Sequence, residues 1–190
     1  MPIIRVYHPQ GGLNGEQKAA LAQRLTDVLI TMEGGAGTRG GRAFASIIMT
    51  EIPSDSWWVG GHLDGTFVGK AGKFLVDVSI PEGYMNAVHK TEVHASVNAA
   101  IVDVTGHQAV PDAGASILVV IHEVPEGNWG ADGKTISLGD IAETVGLPKD
   151  GERFKWVKKY FAAKARALAS AGYPPDTGGL LRDAETTPPR

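Results

Sequence analysis

The chain has 190 residues, 43% hydrophobic and 21% charged, with a formal net charge of -3 and no cysteine. That length and balance describe a folded protein with one sizeable core or two small ones. The slight negative charge gives no general attraction for nucleic acid or an anionic membrane, and the lack of cysteine excludes disulfides, thiolate nucleophiles and cysteine metal sites.

Pro2 follows Met1 directly and opens the apolar run Ile3-Ile4-Arg5-Val6-Tyr7. No basic-then-apolar leader and no membrane-length run is present, so Pro2 is expected to be the mature terminus of a cytoplasmic protein. Removal of Met1 would leave a secondary amine there. An α-amino group titrates near about 8, withdrawal from water lowers that value, and a base titrating near the working pH is the most effective one. Many chains begin Met-Pro for no catalytic reason, so the remaining sequence decides.

The run from Ile3 to Tyr7 is β-rich and is followed by a Pro/Gly turn and Asn14, a helix N-cap whose spacing to Gln17 resembles a capping box. Leu21, Leu25, Val28, Leu29 and Met32 recur at helical spacing, and Gly34 is expected to stop that helix. A glycine-rich loop carrying Arg39 and Arg42 leads into a strand over Ser46–Glu51, then a hairpin segment holding Trp57.

Shifting the chain against itself by 72 residues superposes Pro9 on Pro81, Gly11 on Gly83, Asn14 on Asn86, Lys18 on Lys90, Glu51 on Glu123, Trp57 on Trp129 and Gly61 on Gly133 without a gap. The second copy therefore has strands at Leu75–Ser79 and Ile117–Glu123. Between them lies a helix with the stripe Val93, Val97, Ala100, Ile101 and Val104, stopped at Gly106. Each copy reads as a right-handed β-α-β unit.

The two units are expected to form an α+β fold: a tandem β-α-β repeat making a four-stranded sheet with two helices on one face. Alternation turns Ile4, Val6, Val76 and Val78 towards one side, and Ile3, Arg5, Tyr7, Leu75, Asp77 and Ser79 towards the other, a mixed set that suits a subunit interface. Arg5 and Asp77 occupy equivalent positions and are expected to pair across the central strands. Beyond the repeats, a short helix is expected over Ser137–Val145. A longer one carries Phe154, Val157, Phe161, Ala165 and Leu168 and ends near Gly172, with Lys155, Lys158, Lys159, Lys164 and Arg166 on a solvated face. The expected organisation is a repeat domain over 1–136 (copies at about 2–64 and 74–136), a helical extension over 137–172 and a mobile tail over 173–190.

Pro2 at the head of a strand in a tandem β-α-β chain resembles the tautomerase superfamily. The opening Pro2-Ile3-Ile4-Arg5-Val6-Tyr7, the helix start at Glu16-Gln17-Lys18, and Met49-Thr50-Glu51-Ile52-Pro53 followed by Trp57 and Gly60-Gly61 are similar to 4-oxalocrotonate tautomerases. The fused two-unit chain is most similar to the cis-3-chloroacrylic acid dehalogenase subgroup. The resemblance implies a tautomerase/MIF-like fold, a trimer, no cofactor, and Pro2 as a base or acid moving a proton on an enol or α-keto acid. Phe74 stands at the position equivalent to Pro2 in the second copy and has no free amine, which leaves one proline site per chain.

The departures are equally specific. The positions of the tautomerase arginines fall near Leu13, after a loop adjustment, and at Ser46. The dehalogenase histidine, two arginines, tyrosine and glutamate fall at Leu29, Glu82, Met85, Val120 and Ala131. Hydratase or dehalogenase chemistry on unsaturated acids, the alternative activity, lacks those partners. Arg39 and Arg42 are the remaining candidates to grip a substrate carboxylate, against the reading of a solvated loop.

Trp57 matches an aromatic wall position. Trp58 and Trp129 read as packing or interface residues, His8 as a turn residue and Lys73 as a surface lysine. His89 and His94 are five apart and do not share a helix face, so no metal centre is expected. The reading is a cofactor-independent tautomerase acting on a small enol or α-keto acid, a homotrimer without nucleic-acid or membrane partners. Its site is Pro2 as catalytic residue with Arg39, Arg42 and Trp57 binding substrate. A non-catalytic oligomeric binding protein is the alternative from another class.

Overall fold

The computed structural model describes residues 2–32 and 39–181. In chain order they form β1 (Ile3–Pro9), α1 (Gly15–Met32), α2 (Arg39–Phe44), β2 (Ser46–Ile52), β3 (Phe74–Pro81), α3 (Ala87–Val104), β4 (Ile117–Val124), β5 (Gly130–Ala131), β6 (Lys134–Thr135), α4 (Leu138–Val145) and α5 (Glu152–Ser170). No helix among the described residues is long and apolar enough to cross a membrane.

The main sheet has the order β2-β1-β3-β4, with β1 and β3 antiparallel at the centre and each flanked by a parallel partner. This is the tandem α+β arrangement that the repeat predicts, and the equivalence extends to details. α1 and α3 begin and end 72 positions apart. The side chain of Asn14 accepts from the Gln17 N–H, and that of Asn86 from the His89 N–H. Lys18 reaches Glu51 at 2.6 Å and Lys90 reaches Glu123 at 2.7 Å. Val59 bridges His62 around Gly60-Gly61, as Ala131 pairs with Lys134 around Asp132-Gly133. All four central residues of these turns have positive φ, the conformation of a tight two-residue hairpin.

The core lies between the sheet and α1/α3. Ile4, Val6, Val76 and Val78 are fully buried against Leu21, Leu25, Leu29, Val93, Val97 and Ile101. On the other face Ile48, Leu118 and Val120 are 47%, 61% and 42% exposed, so the chain by itself leaves that face open. The register sets Arg5 opposite Asp77 as expected, but their side chains go elsewhere: Arg5 donates to Ser79 Oγ at 3.3 Å and Asp77 pairs with His122 at 3.0 Å. The adjoining strand β4 offers Asp77 a nearer partner, which no single-strand pattern reveals.

The C-terminal helices are part of the same core. β1 starts where β3 stops, α1 finishes and α3 begins, so one end of the sandwich collects the heads of β1 and β2 and the tails of β3 and β4. Leu138, Ile141, Val145, Val157 and Phe161 join the core cluster. Arg153 of α5 donates to the Met32 carbonyl and stacks over Tyr84. Tyr160 and Lys164 both donate to Glu82, at 2.8 Å and at 2.6–2.7 Å. Buried Glu126 accepts from the Leu138 N–H. The extension therefore closes this end of its own chain.

Two expectations change here. Lys164, placed on the solvated face by the sequence, is paired and only 24% exposed, because α5 lies across the β3–α3 turn. Part of the expected mobile tail is anchored: residues 173–178 are exposed, but the Gly179 N–H donates to the Glu126 carbonyl and Leu181 packs on the core. Residues 182–190, and Gly34 with its expected helix stop, lie outside the described residues.

Gly11 and Gly83 are repeat equivalents with φ of 72° and 70°, but their surroundings differ. A Cβ on Gly11 meets nothing within 4 Å, whereas one on Gly83 falls 2.5 Å from the Tyr160 ring and 3.1 Å from Phe161. Gly83→Ala is expected to cost about 1–3 kcal/mol from the left-handed backbone and more from displacing α5, while Gly11→Ala pays only the backbone part. Urea midpoints for the two variants test this, and equal losses would show that α5 does not press on this turn.

Candidate active site

Pro2 is buried at the head of β1, and its carbonyl accepts from the Ser46 N–H at 3.3 Å. It shares the parity of Ile4 and Val6 and so faces the apolar layer between sheet and helices. Extending the register by one residue sets it between Ala45 and Ile80, the latter 1% exposed. Its neighbours on the flanking strands are therefore an alanine and an isoleucine, and the closed end of the sandwich lies beyond them.

The predicted partners are distributed unevenly. Arg39 and Arg42 lie on α2 rather than in a loop, immediately before the head of β2 and therefore at the Pro2 end. Arg39 is exposed, and Arg42 is held by Asp27 at 2.9 Å with about half of its side chain in water. Trp57 lies beyond the tail of β2, and its carbonyl accepts from Lys73 Nζ at 2.9 Å just before β3. That is the opposite end of the sheet from Pro2, separated within one chain by the seven residues of β1, on the order of 20 Å.

Lys73 is thus a clamp rather than a loose surface group, bonding the Leu63 carbonyl at 2.7 Å as well. His8, also at the far end, is fully buried with Nδ1 2.9 Å from the Pro9 carbonyl. Trp129, 7% exposed, lies in the segment after β4 and so follows a strand tail at the Pro2 end. Trp58, by contrast, is 58% exposed.

Sequence reasoning missed the side chains that the extension brings to this end. Glu82 receives Lys164 and Tyr160, and burial first, then the hydrogen bond to Glu82, pushes the Tyr160 phenol up to about 12. Met85 and Leu29, at 2% and 0% exposure, are packing residues. Beside them Tyr84, Asn86, His89, Glu152, Arg153 and Trp156 line a cavity of about 310 Å³. No local pattern marks Arg153, which acquires its setting only when α5 docks 121 residues away from Met32. A larger groove, about 660 Å³, runs between α1 and α3, but its charges neutralise one another through Arg24–Asp103 and Arg42–Asp27.

His89 is held below the usual imidazole range, chiefly by burial and secondarily by the Arg153 charge. Between the folded and the ordinary value of about 6.5, the unfolded chain binds a proton that the folded chain refuses. Stability therefore falls as pH drops through that window. Wild type is expected to lose more melting temperature than His89→Gln on going from about pH 7.5 to about pH 5.5. Equal losses would remove His89 as the source.

The tautomerase enzyme family profile matches residues 2–66 and 75–139, both copies of the repeat. The structure described as "F6 fused 4-OT wild type asymmetric trimer" is similar at 25% identity and a TM-score of 0.56, covering 70% of this chain and 94% of that one. A second fused 4-OT, "Q0 fused 4-OT wild type symmetric trimer", is 21% identical with a TM-score of 0.56, over 73% and 98%. The structure of "N1, a member of cis-3-chloroacrylic acid dehalogenase (cis-CaaD) family" is 19% identical with a TM-score of 0.57. It covers 89% of this chain and 96% of its own, a share that takes in C-terminal residues beyond the repeats. A search of curated protein sequences finds no match. Because the profile spans both β-α-β units and the solved relatives share their arrangement, the chain belongs to the tautomerase family.

Proposed function

We propose that the protein is a cofactor-independent tautomerase in which the Pro2 amine carries a proton between oxygen and carbon of a small enol or α-keto acid. The observation that carries this reading is the burial of Pro2 at the head of a central strand, in a chain of this family. A dry setting favours the neutral amine over the ammonium, and a neutral secondary amine is the form that takes a proton. The developing enolate needs a cation or hydrogen-bond donors. Arg39 and Arg42 stand on the helix that leads into β2 beside Pro2, and Arg42 exchanges Asp27 for the substrate carboxylate.

The proposal includes a cytoplasmic homotrimer. The open sheet face with Ile48, Leu118 and Val120 exposed is apolar enough to be covered by like chains, and the fused 4-OT relatives are described as trimers. In such an assembly a neighbouring chain supplies Trp57 to the Pro2 pocket. Hydration or dehalogenation of unsaturated acids is the weaker reading, since Leu29 and Met85 are buried apolar side chains and Glu82 is occupied by Lys164. The test is ketonisation of phenylenolpyruvate by wild type beside Pro2→Ala, with halide release from a haloacrylate assayed in parallel. Halide release without ketonisation would replace the tautomerase reading with the dehalogenase one.

A further inference from the structure

We propose that the cavity between the first turns of α3 and α5 is a binding site for a small aromatic carboxylate. It is built by the extension, because Glu152, Arg153 and Trp156 come from α5 and face Tyr84, Asn86 and His89 across a space of about 310 Å³. That volume is at the lower end of small-molecule sites. The proposal rests on this geometry and is independent of the chemistry assigned to Pro2.

Arg153 is the anion-recognising group. Its guanidinium is fixed by donation to the Met32 carbonyl and by stacking 5.4 Å over the Tyr84 ring. Among the described residues no carboxylate forms an ion pair with it. A planar fork held in this way is prepared for two parallel bonds to a carboxylate. Glu152, the one acid on the wall, turns outward to Lys155 at 2.7 Å and is 89% exposed.

The second feature is His89. Its Nδ1 is sealed from solvent and has no hydrogen-bond partner, and burial together with Arg153 favours the neutral ring. The neutral ring therefore lines the site without adding a charge of its own. The N-cap of α5, Gly151, makes no side-chain cap bond, so the positive end of the helix dipole also favours an anion there, beside the outward-turned Glu152. Trp156, backed on one side by Tyr160 at 5.6 Å and 24°, supplies a flat apolar wall. A fixed cation beside a flat ring face describes an aryl carboxylate.

The probe is benzoate, titrated calorimetrically against the full chain, with benzamide as the neutral isostere and acetate as the charge without the ring. Saturable benzoate binding is expected, with benzamide at least tenfold weaker. Arg153→Gln is expected to lose at least tenfold in affinity. Trp156→Leu, which leaves Arg153 on Met32, is expected to weaken benzoate more than acetate. Pro2→Ala is expected to bind benzoate as wild type does. Three results would overturn the proposal: no saturation at millimolar benzoate, Arg153→Gln and Trp156→Leu both binding as wild type, or loss of binding in Pro2→Ala, which would move the ligand to the Pro2 pocket.

Discussion

Replacing Pro2 by Ala is expected to lower the rate of phenylenolpyruvate ketonisation by about 10²- to 10⁴-fold, the range over which a positioned acid or base acts. Alanine keeps an amine at the chain end, so the loss comes from position and solvation. The proline ring fixes the nitrogen at the head of β1, in a layer closed by Ile80 and the core beyond it. The primary amine of alanine, outside any ring and free to turn about its N–Cα bond, has neither the fixed direction nor the same exclusion of water. Intact mass should show both proteins without Met1, since a retained methionine would place a different amine at the site. Equal rates in the two proteins would exclude Pro2 as the proton carrier, and absence of turnover in both would withdraw the enol reading.

Phe161→Ala is expected to destabilise the whole protein by about 3–5 kcal/mol, the usual cost of emptying a buried aromatic site. Phe161 is 3% exposed, belongs to the common core cluster and packs edge-on against Tyr160 at 5.2 Å. For a chain of this size each kcal/mol corresponds to about 2–4 °C in melting temperature, so the shift is large and easily read. The informative point is its form. A single lowered transition is the result expected of an extension that shares the core with the repeats. A small early transition, with the main one unmoved, would show α5 docking as a separate and weaker unit.

The β-α-β repeat was legible because its signals are local. Strand alternation, the Asn14 and Asn86 caps and the helical stripes each act over a few residues, and the 72-residue offset repeated them in one register. Two copies that each present one apolar face have few ways to combine, so the four-stranded sheet with both helices on one side follows. The candidate site was only partly legible. Pro2 was visible as the proline that heads the first strand, the position the proposed function uses. Arg39 and Arg42 were visible as cations near the second strand, but their helix α2 and the Arg42–Asp27 pair were not.

What the sequence by itself determined is the tandem β-α-β pattern and the burial parity of the two central strands, because these depend on backbone periodicity and residue chemistry. The tertiary structure alone decided which residues share an end of the sandwich. It separated Trp57 from Pro2 by the length of β1, gave Asp77 to His122 instead of Arg5, and brought Arg153 to Met32 and Lys164 to Glu82. Each of these contacts joins residues distant in sequence or on different strands. Their energies arise only after the helices dock and water is excluded, so no local pattern in the chain encodes them.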